Sequence, residues 1–202
     1  MERWFGGFYE LAIQIGTHGN DAAILDLLNA IWSQTEITGP YKENDIEPSS
    51  QQIISTSSDE RHYYGVIRLT DEQLLVCGTY VVKENCEPGG SDWVLLYAPA
   101  QEVQWKLGGS GDWDIVQPEL FPLVNYFVRV ADVAYEKRPF QMALIGFEAS
   151  GETYAETITA KEVGTPWMGV LLPKGHRLED EIKGGQSLPS GLIWYAPMEK
   201  RV

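Results

Sequence analysis

Two carboxylates stand out in this chain by their position. Glu10 sits in the middle of an alternating apolar run, and Glu148 closes a second apolar run, Phe140 to Phe147. Carboxylates brought to one face of a sheet bind a cation or exchange protons, because proximity raises the proton affinity of one of them. The competing reading leaves Glu10, like Gln14, on the wetter face of its strand. The three histidines, His18, His62 and His176, stand at no metal-ligand spacing with one another or with a cysteine, so no metal site is expected. His18 precedes Asp21, a pairing suited to capping or surface contact. As a catalytic base it needs a cleft and an orienting partner. Cys77 lies in an apolar run and is expected to pack as a small hydrophobe. Cys86 lies between acidic neighbours, which makes it a poor nucleophile.

The aromatic complement is large, with seven Trp and ten Tyr. Trp93, Tyr97, Trp194 and Tyr195 concentrate at the ends of two runs that both close on Tyr-Ala-Pro, with Tyr63, Tyr64 and Trp167 on or beside related runs. Rings with one polar handle suit ligand pockets and interfaces. The candidate ligand-binding set is therefore Trp93, Tyr97, Trp194, Tyr195, Glu10 and Glu148, gathered near the Pro ends of those strands. The competing reading is that these rings fill the core. No phosphate-binding loop, nucleophile elbow, HExxH or CxxC occurs. The glycine string at 108–111 follows no strand and opens no helix in dinucleotide-binding fashion, and Asp112 and Asp114 would repel phosphate, so it reads as a linker. No cofactor is expected.

The elements that must position these residues follow from periodicity. Tyr9, Leu11, Ile13 and Ile15 alternate with more polar neighbours, which predicts a strand over 8–15. Asp21 or Asn20 caps a helix over 22–33, with Ile24, Leu27, Leu28, Ile31 and Trp32 at helical spacing. Thr38-Gly39-Pro40-Tyr41 stops that unit. A long polar loop over 42–61 follows, with Ile53-Ile54 as a short strand inside it. Strands over 62–69, 74–84 and 93–98 form a meander with links at 70–73 and 88–91. Pro118 opens a helix that Pro139 ends. A strand over 140–147, a weaker helix over 153–162, and strands over 167–172 and 192–196 complete the chain.

A repeat runs through this layout. Tyr64-Gly65-Val66-Ile67 and Asp92 to Pro99 match Met168-Gly169-Val170-Leu171 and Gly191 to Pro197. The expected architecture is α+β, a mainly antiparallel sheet flanked by helices, in two pseudo-repeated β-α-β-β halves. The first half spans 1–107 with the long loop 42–61, a linker covers 108–117, and the second half spans 118–202; the halves are compatible with one compact domain. In arrangement alone this resembles duplicated α+β ligand-binding modules attached to bacterial regulators. That resemblance implies a cleft between halves for a cationic or aromatic ligand. No motif matches, so it assigns no residue a role.

Charge narrows the partners. Twenty-nine acidic and fifteen basic side chains give a net charge of −14. A phosphate backbone or anionic membrane surface needs clustered Lys and Arg, so both are disfavoured. A basic protein or a small cationic or aromatic ligand is favoured by the field. No signal peptide, no run of the roughly 20 apolar residues that span a bilayer, and only two cysteines point to the cytoplasm. The function expected is a non-enzymatic cytosolic binding protein for a small molecule or a basic protein, immunity- or antitoxin-like in the second case. The alternative is a hydrolase-like enzyme using Glu10, Glu148 or His18. The oligomeric state is not specified by the sequence.

Overall fold

The computed structural model describes residues 4, 6–44, 47–84 and 90–198. The strands are β1 (Phe8–Thr17), β2 (Ile37–Tyr41), β3 (His62–Arg68), β4 (Leu74–Lys83), β5 (Ser91–Pro99), β6 (Met142–Phe147), β7 (Met168–Pro173), β8 (Gln186–Ser187) and β9 (Leu192–Tyr195). The helices are α1 (Asp21–Trp32), α2 (Ala100–Leu107), α3 (Phe121–Lys137) and α4 (Ala160–Val163). All nine strands join one sheet in the order β2-β3-β4-β5-β1-β6-β7-β9-β8, and every pairing is antiparallel. The mainly antiparallel α+β architecture expected from the sequence is thus present. β1 lies between β5 and β6 and so joins β2–β5 to β6–β9 in one sheet.

Alternation along β1 sorts the sheet into two faces. Tyr9, Leu11 and Ile13 point to a helical face, where they pack with Leu27, Leu28 and Ile31 of α1, Phe127 and Ala131 of α3, and Val103 of α2. α1 starts where the Asn20 side chain accepts from Ala23 N, which satisfies one orphan donor of the first turn. Ala12 points to the second face, with Trp93 and Leu95 of β5, Leu144 of β6 and Val170 of β7. Ala149, Ala155, Ile158, Val163 and Leu178 cover that cluster from the stretches 149–167 and 174–182 on either side of β7. The helices that reach β2 and β4, namely α1 and α2, contribute to the helical-face core. The second face of β3 is therefore only partly covered, and its burial alternates along His62–Arg68 from exposed to buried.

Several local expectations are corrected. Tyr41 and its neighbours do not stop the first unit but form the edge strand β2, bulged between Thr38 and Tyr41. A proline is tolerated there because an edge strand leaves one row of donors unused. Ile53-Ile54 forms no strand; a 3-10 turn at Pro48–Ser50 precedes it, and Ile54 N donates to Pro40 O along the sheet edge. The helix expected over 153–162 shrinks to Ala160–Val163, because Thr159 caps it with a capping box and the threonines before it favour turns. Of the link expected at 88–91, residues 88 and 89 lie outside the described residues, and Ser91 already opens β5. Within 108–117 the Gln117 side chain binds Ser110 N at 2.7 Å and Asp112 O at 2.8 Å, and Trp113 stacks on Phe147.

The two glycines of the repeated runs have a common physical role. A Cβ on Gly65 would come within 2.5 Å of both Thr38 O and the Trp32 ring. A Cβ on Gly169 would collide with three atoms of the Trp194 ring, all within 2.9 Å of that position. Each glycine thus lets an indole approach the helical face of the sheet. The strand orders around them differ: β4 separates β3 from β5, whereas β7 and β9 are direct neighbours. Replacing Gly169→Ala must displace Trp194, and overpacking of this kind costs about 1–3 kcal/mol. A thermal melt should show Tm lowered by several degrees; an unchanged Tm would mean that the indole has free space to move into.

Candidate functional site

Strand register assembles a row of side chains across the second face. Tyr41 pairs with Tyr64, Tyr64 with Gly78, Gly78 with Tyr97, Tyr97 with Glu10, and Glu10 with Gly146. Gly78 has no side chain, and the Tyr97 hydroxyl occupies the space a Cβ would need, 2.6 Å from that position. Phe8 lies 4.5 Å from Tyr97, centroid to centroid. Trp4 sets its edge against both Tyr64, at 5.1 Å, and Tyr97, at 6.1 Å, and donates its indole N–H to Asn44 O. In the next row His62 stacks on Tyr80 at 4.3 Å and lies 6.2 Å from Tyr64. Phe8, Tyr97, Trp4, Tyr64, His62 and Tyr80 therefore form an unbroken series of ring contacts, from the buried centre of the sheet to its open side.

Carboxylates border this series at both ends. Glu10 is only 2% exposed, so the solvated-face reading of this residue is corrected. Its Oε1 accepts from Ser150 N at 2.7 Å. Burial raises its proton affinity above the ordinary value; the Ser150 hydrogen bonds oppose that rise and the charge of Glu148 adds to it. At the open end Glu43 and Glu60 lie near enough to Tyr64 to reinforce the upward shift of its phenol that burial begins. Burial also lowers the proton affinity of His62, which Glu60 opposes and Arg61 assists.

The six predicted ligand residues are partly gathered. Glu10 and Tyr97 are direct cross-strand partners, and Glu148 stands within electrostatic reach of Glu10. Glu148 adopts φ 46°, unusual for a residue other than glycine, and its carboxylate lies over Gly7. Trp93 is elsewhere on the second face, beside Gln14 and edge-on to Tyr154. Trp194 points to the helical face. Tyr195 shares the second face but belongs to the row Tyr80–Leu95–Ala12–Leu144–Val170–Tyr195. β1, β6 and β7 stand between β5 and β9, so the two Pro ends lie roughly 19 Å apart at the usual strand spacing. Trp4, Phe8, Tyr64 and Tyr80 are outside the predicted set of six, and His62 enters the sequence reading only as a metal ligand that lacks partners at the required spacing. The period-two pattern of β3 and β4 places His62, Tyr64 and Tyr80 on one face; which face stays uncovered depends on tertiary structure.

A second polar arrangement occupies the other end of β1. Asp92, fully buried, accepts from His18 Nδ1 and from Gly19 N, each at 2.7 Å. The orienting partner of His18 is thus Asp92 and not Asp21, whose carboxylate pairs with Lys83 at 2.6 Å. The signal in the sequence was an acidic residue opening an otherwise apolar strand. On the second face, buried Gln14 donates to Ser91 Oγ at 2.9 Å and Gln141 Oε1 at 3.1 Å, and accepts from Ala155 N at 2.8 Å. That amide fastens the covering segment to the central strand. His176 does similar work: Leu178 N donates to its Nδ1, which leaves Nε2 to donate to Ala155 O. Cys77 is buried and its thiol is pushed far up by burial, while Cys86 lies outside the described residues. Among the described residues no group of three or more His, Cys, Asp or Glu is placed to hold a metal ion, and no helix is long and apolar enough to cross a membrane.

No protein-family model matches the chain, and no curated protein or solved structure matches it significantly.

The raised proton affinity of Glu10 carries a pH signature. In an unfolded chain the carboxyl ionises near 4.5, and in the folded one it ionises later. Below the unfolded value both states are protonated, so nothing is lost. As pH rises through the interval above 4.5, the unfolded state ionises first and the fold is destabilised. Glu10→Gln keeps an acceptor for Ser150 and has no such term. Urea melts between about pH 4 and 8 should show the variant gaining stability relative to the wild type as pH rises, then levelling off. A difference that is flat with pH would show that the two states bind the proton equally.

Proposed function

We propose that this chain is a non-enzymatic cytosolic binding protein that recognises a cationic group, carried by a small molecule or a basic protein. The observation that carries this reading is the continuous aromatic series Phe8–Tyr97–Trp4–Tyr64–His62–Tyr80 with Glu10 at one end and Glu43 and Glu60 at the other. Ring faces attract ammonium and guanidinium groups, by about 0.5–1 kcal/mol when exposed and about 2 kcal/mol when desolvated. Carboxylates beside them add charge, and a net charge of −14 steers cations toward the chain. Neutralisation of a basic protein, in the manner of an immunity protein or antitoxin, is one form of this function. An internal duplication belongs to the same proposal, supported by the shared close approach of an indole to Gly65 and to Gly169. So does the division into halves at 1–107 and 118–202 joined by 108–117.

A second reading, hydrolytic catalysis, is favoured by one observation: His18 is held by a buried carboxylate, which is how a general base is oriented. Hydrolysis of chromogenic esters that disappears in His18→Ala would support it over binding.

The binding reading is tested by calorimetric titration with tetramethylammonium and with arginine methyl ester. Saturable binding is expected, weakened by about three- to tenfold in Tyr97→Leu and in Glu10→Gln. No heat and no change in melting temperature with either cation, together with no affinity for a basic peptide, would overturn it.

A further inference from the structure

The partner class can be narrowed, on the premise that the chain binds a cationic group. The relevant surface is the second face of β2–β4. The stretches 149–167 and 174–182, on either side of β7, cover this face over β6, β7 and β9 with Ile158, Val163 and Leu178. On β3 and β4 the same face keeps Tyr64, Val66, Tyr80 and Val82 half-buried and His62 exposed. Leu74, at the far end of β4, is 42% exposed. Three strands at the usual spacing and a seven-residue β3 make this area roughly 14 Å by 23 Å. That is too broad for one small cation to cover, yet it matches the central part of a protein interface. Its composition is also that of an interface centre: tyrosines and aliphatics inside, charges at the rim.

Charge selects the occupant. The two charged groups that act on Tyr64 are both carboxylates, Glu43 and Glu60, and of the two that act on His62 one is again Glu60 and the other is Arg61. Two copies of this chain would each bring −14 to the contact, so self-association through this face is opposed by the field. We propose that the open second face of β2–β4 is the docking surface for a basic protein, whose Lys or Arg side chains lie against Tyr64 and Tyr80 and reach Glu43 and Glu60. Arg68, at the opposite end of β3, then sets the direction of the partner, because it repels the basic end.

An oligo-arginine peptide is the probe. Amide chemical shifts of the full chain should move on β2, β3 and β4 and on the segment around Glu60, and remain still on α3. Tyr64→Ser and Tyr80→Ser should each weaken binding at least fivefold. Glu60→Lys, in an exposed loop that bears little on folding, should weaken it by a similar factor, while Glu119→Lys beside α3 should change it less than twofold. Equal losses in Glu60→Lys and Glu119→Lys, or shifts centred elsewhere, would overturn the docking surface and leave cation recognition standing. Absence of any binding by the wild-type chain to the peptide, tetramethylammonium or arginine methyl ester would remove the underlying reading as well. Tetramethylammonium competing fully with the peptide at this face would assign the site to small cations and overturn the protein partner. A dimer in sedimentation that Tyr64→Ser dissolves would assign the face to a second copy and overturn it too.

Discussion

Everything in this molecule depends on the register of β1 between β5 and β6. Residues alternate between faces with a period of two, so a slip of one residue would move Leu11 and Ile13 to the second face and Glu10 and Gln14 beneath the helices. The register is fixed from both sides. Buried leucines and isoleucines lock the helical face, and Gln14 locks the second face by an amide that reaches Ser91, Gln141 and Ala155 at once. A buried amide with its donors and acceptor satisfied specifies one alignment, because any other leaves those groups unpaired at about 1–3 kcal/mol each.

From that register the rest follows. β1 joins strands from both parts of the chain into one sheet, and the helices of both parts share one core beneath it. The second face is treated unevenly. The stretches 149–167 and 174–182, on either side of β7, have little regular structure beyond α4 and are held by hydrogen bonds to β1 and by His176 and Arg177 reaching carbonyls at 155–158. They cover β6, β7 and β9, whereas among the described residues the second face of β3 stays only half-buried. The asymmetry between a capped and an open half of one sheet is therefore a consequence of where the chain keeps its irregular residues.

Most strands were legible in the sequence because their apolar residues alternate or run continuously, as in β1, β3, β4, β5 and β7. β2 was hidden by Gly39-Pro40, which reads as a break and is in fact a bulge in an edge strand. The helix expected over 153–162 failed because threonine side chains there serve caps and turns. For the site, Glu10 and Tyr97 were legible as candidates, and their pairing was not, since pairing is a property of register between strands far apart in sequence. Trp194 and Tyr195 were grouped with them by their common motif; consecutive residues on a strand face opposite ways, and two intervening strands separate β9 from β1. The pairing of Asp92 with His18 is not legible in the sequence, because 74 positions separate the two residues.

The buried position of Glu10 bears on why the aromatic row is built as it is. An ionised carboxylate in an apolar sheet face costs stability, and the hydrogen bonds from Ser150 offset only part of that cost. A leucine in that position would pack against Tyr97 and Gly146 without such a cost. Local rules of this kind are broken where function asks for it, and the loss is absorbed by the surroundings. Here the surroundings are strong: β1, which carries Glu10, has four strands on either side in the sheet, so a destabilising carboxylate is tolerated there beside the ring of Tyr97. A cation bound there would lower the proton affinity that burial raises, and binding and ionisation of Glu10 would then be linked, each favouring the other.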